Sequence, residues 1–155
     1  IVGNLPFNVS SQLLIKWTIL NNWPPFYEKM YLMFQRELGE RIIAEKDSKS
    51  YGRISVLSQS RFNIKKLFIA PSGIFNPKPK VDGIVLEFSP IKKYKDINIK
   101  TLETILKKAF LHRRKMIKTS LKEYKNILKS NGFNLDKRAE NLSVNDYCKL
   151  SSLIE

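Results

Sequence analysis

The stretch MYLMFQRELGERIIAE, residues 30–45, indicates the fold class of this chain. Its first five residues, 30–34, form an apolar run of strand length without a charge. Such a run is typical of a strand that is covered on both faces, as in a parallel sheet. Residues 36–45 then place Leu38 and Ile42 on one helical face. A buried strand that leads directly into a helix is characteristic of an α/β layer.

The alternation of strands and helices continues on both sides of this stretch. Ser10 or Ser11 is predicted to cap the helix that precedes it. A loop over residues 71–80 contains three prolines, which fix the backbone and remove donors. We therefore predict an α/β layer up to residue 90. Its other elements are strands over residues 1–5, 62–70 and 82–89 and helices over residues 11–20 and 51–60.

The second part of the chain has no strand signal. Residues 91–98 are predicted to be a lysine-rich linker, and residues 99–155 a small helical domain. Ser143, followed three residues later by Asp146, resembles a capping box for a last helix over residues 144–154. Two earlier helical faces are defined by apolar spacing, and the second ends at Asn131-Gly132. These faces are formed by Leu102, Ile105, Leu106, Ala109 and Phe110 and by Ile117, Leu121, Tyr124 and Leu128.

The chain is strongly basic, with 28 Lys and Arg residues against 14 Asp and Glu residues and a formal charge of +14. Residues 92–129 alone contain 13 basic and 3 acidic residues. A polyanion would relieve the self-repulsion by counterion release, which favours nucleic acid as a partner. A solvated lysine-rich surface and an anionic membrane surface are the alternative interpretations.

Several classes of protein are excluded by the composition of the chain. No stretch of about 18 uncharged apolar residues occurs, so we predict no membrane-spanning helix. The single cysteine, Cys148, excludes an internal disulfide, and with the single histidine, His112, it argues against a metal site. We expect Cys148 to be a packed thiol and His112 to be structural or close to RNA rather than catalytic.

Asn4-Leu5-Pro6-Phe7 is the motif that suits a specific chemistry, because it follows a predicted strand at an edge where α/β sheets bind ligands. The Asn4 side-chain oxygen and a neighbouring backbone carbonyl can accept both hydrogens of an adenine amine. This directs the nitrogen lone pair toward an electrophile. Pro6 stiffens the turn without adding a donor, and Phe7 offers a flat face to an extruded base. The alternative is that Asn4 caps a turn and Phe7 packs in the core.

Six blocks in this order resemble the ribosomal RNA adenine dimethyltransferase family, and together they span essentially the whole chain. Phe7 stands where tyrosine is common in that family, which preserves a stacking face but loses a hydroxyl. The blocks are Asn4-Leu5-Pro6-Phe7, Gln35-Arg36-Glu37, Tyr51-Gly52-Arg53-Ile54-Ser55-Val56, Phe75-Asn76-Pro77-Lys78-Pro79-Lys80-Val81-Asp82, Ala109-Phe110-Leu111-His112-Arg113-Arg114-Lys115 and Arg138-Ala139-Glu140-Asn141-Leu142-Ser143.

The resemblance implies that methyl groups pass from S-adenosylmethionine to adenine amines of small-subunit ribosomal RNA, in ribosome biogenesis. Asn4 and the Leu5 carbonyl would orient the amine, with Asn4 also near the donor, and Phe7 and Phe75 would sandwich the base. Residues 1–90 would then be the C-terminal part of a Rossmann-like methyltransferase domain, followed by an RNA-binding helical domain. The residues predicted to contact RNA are Arg36, Arg53, Lys78, Lys80, Arg113, Arg114, Lys115, Lys118 and Lys122.

The family also has a glycine-rich turn and acidic residues that hold the methyl donor, and this chain contains neither before Asn4. We therefore expect the chain to lack the donor-binding half and to be inactive by itself. The alternatives are an erythromycin-resistance type methylase of large-subunit ribosomal RNA and a non-enzymatic RNA-binding or ribosome-assembly module. A monomer in the cytoplasm is predicted, with an organelle as the other location.

Overall fold

The computed structural model describes residues 1–154, which form one four-stranded sheet and seven α-helices. The strands are β1 (Val2–Asn4), β2 (Met30–Gln35), β3 (Phe62–Ala70) and β4 (Gly83–Pro90). The helices of the first part are α1 (Ser10–Thr18), α2 (Arg36–Ile42) and α3 (Arg53–Gln59). Those of the second part are α4 (Ile99–Leu111), α5 (Ile117–Ser120), α6 (Lys125–Ser130) and α7 (Val144–Leu153). The predicted α/β layer and the helical second part are thus both present, although residue 155 lies outside the described residues.

The sheet is mixed, which corrects the prediction of a parallel sheet. Its strand order is β1-β2-β4-β3, with β1 parallel to β2 and β4 antiparallel to both of its neighbours. Burial in β2 therefore alternates: Met30, Leu32 and Phe34 are buried, whereas Tyr31 and Met33 are half-buried. Alternating burial is typical of strands in which one face packs on the core.

The strand predicted within residues 1–5 is present as β1, but it is exposed and not buried. Within the described residues β1 pairs only with β2, and it lies at the edge of the sheet. Val2 is 83% exposed and Ile1 is 49% exposed. No other strand within residues 1–154 pairs with the outer edge of β1. The apolar sequence could not predict this, because it does not reveal which neighbours a strand has.

Two local predictions about helices also need correction. Neither Ser10 nor Ser11 caps α1, because Val9 occupies the N-cap position and the Ser10 hydroxyl donates to the Phe7 carbonyl at 3.2 Å. The apolar face from Ile117 to Leu128 is not one helix, since the chain leaves helical geometry at Leu121 and makes a 3₁₀ turn before α6.

The apolar core consists of two clusters on either side of α3. One lies on the sheet and includes Leu14, Phe34, Ile42, Phe62 and Phe88. The other joins the helices of the second part to Tyr51 and to Val56 and Leu57 of α3. Helix α3 therefore packs against α4 and α7, so residues before and after the predicted linker at 91–98 share one core. The domain boundaries drawn from the sequence stay predictions.

No helix within residues 1–154 is both long enough and apolar enough to cross a bilayer.

Candidate active site

Asn4 is the last residue of β1 and pairs in parallel register with Met33 of β2. The next residues turn immediately, since the Val9 amide donates to the Pro6 carbonyl at 3.1 Å before α1 begins. This turn leaves Asn4 and Pro6 exposed and Phe7 half-buried. The motif therefore lies at the carboxyl end of a strand, where the sequence places it.

The loop that carries Phe75 is tied to the same edge of the sheet by Asp82. One carboxylate oxygen of Asp82 accepts a hydrogen bond from the Ser72 amide at 2.9 Å, and its backbone carbonyl accepts from the Arg36 amide at 2.9 Å. The Arg36 guanidinium lies 3.9 Å from the other carboxylate oxygen. These contacts join both ends of the loop to the start of α2, and Phe75 of this loop lies near Met33 of β2.

A cavity of about 240 Å³ brings these two segments together. Asn4 supplies the only polar side chain of its lining, and the two rings of Phe7 and Phe75 contribute flat apolar surface. The volume is below the roughly 300–1,000 Å³ of pockets for drug-sized ligands. The lining residues are Asn4, Leu5, Pro6, Phe7, Met33, Phe75, Pro77 and Pro79.

Three lining residues, Met33, Pro77 and Pro79, were not predicted as site residues from the sequence. Met33 could be found from strand pairing, because a residue in register with Asn4 must lie at the same edge. The absence of a side chain at Gly83 gives Met33 its room, since a Cβ at position 83 would lie 3.0 Å from the Met33 sulfur. Pro77 and Pro79 belong to the Phe75 block and shape the cavity wall.

Three of the basic residues predicted to contact RNA lie near this cavity. Lys78 and Lys80 are exposed and alternate with the two lining prolines along the loop. Arg36 is half-exposed and donates to Glu40 at 2.9 Å in addition to its contact with Asp82. That hydrogen bond raises the pKa of the Arg36 guanidinium, which is therefore engaged within the protein.

The other predicted basic residues lie on the helical part or at its border. Arg53 is half-buried at the start of α3. Arg113 donates to the Tyr51 carbonyl at 2.9 Å and to Glu140 at 3.1 Å, and Lys118 pairs with Asp136 at 2.6 Å. Arg114, Lys115 and Lys122 are exposed and have no ion pair among the residues that the structure describes.

A basic groove of about 400 Å³ runs between the end of α4 and the turn before α6. Lys108 at its side is paired with Glu123, and that hydrogen bond raises the pKa of Lys108 and lowers the pKa of Glu123. The Ser120 hydroxyl is buried in this region without a hydrogen-bond partner in the described chain. The groove is lined by Lys108, Leu111, His112, Lys115, Thr119, Ser120, Lys122 and Glu123.

The single cysteine and the single histidine, which were considered for a disulfide or a metal site, occupy different environments. Cys148 is 1% exposed, and burial raises the pKa of its thiol to about 12 against the opposing effect of Arg61 and Lys93. The prediction of a packed thiol is therefore confirmed. His112 is exposed at the end of α4, where its carbonyl accepts from the Lys115 amide at 2.9 Å. Residues 1–154 contain no group of three or more metal-ligating side chains.

The family model described as ribosomal RNA adenine dimethylase matches residues 1–155. Two curated relatives carry the name ribosomal RNA small subunit methyltransferase A. The protein from Rhizobium etli (strain CIAT 652) is 40% identical, and that from Brucella canis (strain ATCC 23365) is 42% identical, each over 154 residues. In both cases the match covers 98% of this chain and 56% of the relative, so the chain spans about half the length of these proteins.

Solved structures agree with the observed fold. A dimethyladenosine transferase from Plasmodium falciparum superposes with a TM-score of 0.82 at 25% identity, over 96% of this chain and 64% of that chain. The 23S rRNA methyltransferase ErmE superposes with a TM-score of 0.61 at 17% identity, over 98% of this chain and 63% of its own, which supports the fold alone. The mixed sheet and helices of this chain are thus consistent with the C-terminal half of a Rossmann-like methyltransferase. By the full-length family match and the 40–42% identical relatives, the chain belongs to the ribosomal RNA adenine dimethylase family.

Proposed function

We propose that this chain carries the adenine-binding side of an enzyme that dimethylates adenine amines in small-subunit ribosomal RNA. The observation that supports it best is the cavity in which Asn4, Leu5 and Phe7 meet Phe75. The two segments are separated by about 70 positions in the sequence, yet they line one cavity of about 240 Å³. The names of the 40–42% identical relatives favour a small-subunit over a large-subunit target.

The cavity suits a neutral, planar amine donor. Phe7 and Phe75 offer faces for stacking, and base stacking on aromatic side chains stabilises binding by about 1–3 kcal/mol per base. The Asn4 side-chain oxygen and the Leu5 carbonyl are acceptors, whereas the prolines of the wall carry no amide donor. An adenine amine that donates both hydrogens to these oxygens would point its nitrogen lone pair away from them.

S-adenosylmethionine, the donor that the family implies, supplies a methyl group bonded to a positively charged sulfur. Asn4 is the polar side chain of the cavity, and it fits a position next to this methyl group. The cavity lining contains no carboxylate, so the acidic residues that hold the donor in the family are not among its residues. When bound, this donor would supply the methyl electrophile, with its sulfur as the leaving group. The residues of this chain would orient the amine, because Asn4 and the Leu5 carbonyl would accept its two hydrogens, and the proton lost on transfer would go to solvent.

Two groups of exposed basic residues are proposed to hold the RNA on either side of this chemistry. Lys78 and Lys80 flank the cavity, and Arg114, Lys115 and Lys122 border or line the helical groove. Phosphate contacts of this kind position a nucleic acid without reading its sequence. Arg36 and Lys118 could add contacts only by sharing their carboxylate partners with the RNA or exchanging them for it, and Arg53 is half-buried. The monomeric state and the cytoplasmic location stay predictions.

The decisive experiment measures methyl transfer by the full-length gene product to precursor small-subunit particles with an isotopically labelled donor. The change Asn4→Ala should reduce turnover by roughly a hundredfold or more, because the acceptor that orients the amine is lost. RNA affinity should stay within about threefold, since the phosphate contacts remain. Asn8→Ala is the matched control, because Asn8 is exposed in the same turn and does not line the cavity.

The outcomes separate the proposed function from its alternatives. Methylation that survives Asn4→Ala would contradict the role of Asn4. Primer extension on both ribosomal RNAs would detect a large-subunit target instead. Tight RNA binding by wild type without any methyl transfer would indicate a non-enzymatic assembly module.

A further inference from the structure

Arg113 lies in a polar network that connects the basic turn after α4 to the loop between α2 and α3. Its guanidinium donates from Nη2 to the Tyr51 carbonyl at 2.9 Å and to Glu140 Oε2 at 3.1 Å. The Arg113 side chain is 41% exposed, and that of Glu140 is 30% exposed. One arginine therefore bridges two segments that lie about 60 and 30 positions away in the chain.

The same two segments are joined again around Asp47. The Asp47 amide donates to the Glu140 carbonyl at 2.8 Å, and the Asn141 side chain donates to the Asp47 carboxylate at 2.8 Å. Asp47 has a φ of 69°, an uncommon left-handed conformation that aspartate tolerates better than most residues. We call Asp47, Tyr51, Arg113, Glu140 and Asn141 the loop clamp.

The residues next to Arg113 have a different environment. Arg114 and Lys115 are exposed, and no carboxylate pairs with either of them among residues 1–154. A cation that is free in solution attracts counterions, which RNA binding releases. The charge of Arg113 is already compensated by Glu140, so a phosphate contact there would release less counterion and would compete with the clamp.

We propose that Arg113 is a positioning residue, which holds the turn with Arg114 and Lys115 against the α2–α3 loop so that bound RNA faces the Asn4–Phe75 cavity in one orientation. The inference rests on the proposed RNA methylation and deepens it. It divides the basic run 113–115 into one residue that acts through the protein and two that contact the RNA backbone. The loop clamp thereby links the RNA-binding surface to the part of the chain that contains the cavity.

The test compares Arg113→Met with its neighbour Arg114→Met in the full-length gene product. We measure RNA affinity against salt concentration and, separately, turnover at saturating RNA. Arg114→Met should reduce the slope of log K against log salt by about 0.7–0.9, the value for one phosphate contact. Arg113→Met should leave that slope unchanged and lower turnover by about tenfold, because a displaced substrate reacts slowly even when it is bound.

Glu140→Gln gives different predictions for the two roles of Arg113. If Arg113 positions the turn, losing the carboxylate loosens the clamp, so turnover falls and the salt slope stays that of wild type. If Arg113 contacts phosphate, the same change frees its charge for that contact and the salt slope increases. This variant retains a hydrogen-bond acceptor, so it also carries the test if Arg113→Met does not fold.

The proposal is overturned if Arg113→Met reduces the salt slope as much as Arg114→Met does, or if Glu140→Gln increases that slope. It is also overturned if turnover of both clamp variants equals wild type at a temperature where all are folded. The salt slopes are measured without methyl transfer. A wild-type protein that binds RNA without methylating it would therefore contradict the proposed function, while the slopes would still test the role of Arg113.

Discussion

Gly39 is unfavourable for the predicted helix, but the packing of that helix on the sheet requires it. In the sequence it lies inside a predicted helix, where glycine is less favourable than alanine by about 1 kcal/mol. In the structure α2 packs so closely on β4 that a Cβ at position 39 would overlap the Ile84 side chain. The contact partner is 45 positions away in the chain, so the helical pattern alone cannot reveal why glycine stands there.

We predict that Gly39→Ala lowers the free energy of unfolding by about 1–2 kcal/mol, because the cost of overpacking exceeds the gain in helix propensity. Ile84 is fully buried in the sheet, so it has little space in which to move. Urea denaturation followed by circular dichroism measures the change. Gly73→Ala is the control, because a Cβ there meets no atom within 4 Å and should change stability by less than about 0.5 kcal/mol. Equal stability of the two variants would contradict the prediction.

At the scale of elements, local signals were predictive in part and long-range ones were not. The strand over residues 62–70 and the capping box at Ser143 are confirmed, and both were predicted from neighbouring residues, whereas the serine cap expected for α1 is wrong. The direction of β4 and the exposure of β1 depend on which strands lie side by side, and apolar runs do not encode that. The cavity residues of the Asn4 and Phe75 blocks were predicted from the motif chemistry and the family resemblance, whereas Met33 required the strand register.

Two of the three serines that the sequence suggested as helix caps provide a matched test. Ser143 accepts from the Asp146 amide at 3.1 Å, and Asp146 accepts from the Ser143 amide at 2.8 Å. Ser143→Ala should therefore lower the free energy of unfolding by about 1 kcal/mol. Ser11→Ala should leave it unchanged, because Val9 occupies the N-cap position of α1 without a side-chain cap. The same denaturation experiment decides, and a larger loss for Ser11→Ala would refute this assignment of the caps.

At the scale of the whole molecule, the helical core contains three buried groups that would gain a negative charge in alkali. They are Tyr51, Tyr147 and Cys148, each at most 1% exposed. Burial is the main cause that raises the pKa of all three, in the case of Cys148 to about 12. The native chain therefore keeps these protons at a pH where the unfolded chain has released that of its cysteine, which ionises near pH 8.5.

For Cys148, the stability that follows from the raised pKa is fully present below about pH 8.5 and is lost as the pH rises toward 12, whereas the contribution of the two tyrosines is fully present up to about pH 10. For Cys148 alone the loss approaches about 1.4 kcal/mol per pH unit in this window. Other groups also titrate there, so the measurement is the difference in unfolding free energy between wild type and Cys148→Ala. This difference should be constant from pH 7 to 8 and should shrink steadily from pH 9 to 11. A difference that stays constant up to pH 11 would mean that the native thiol ionises at its ordinary pKa and is not held in the core.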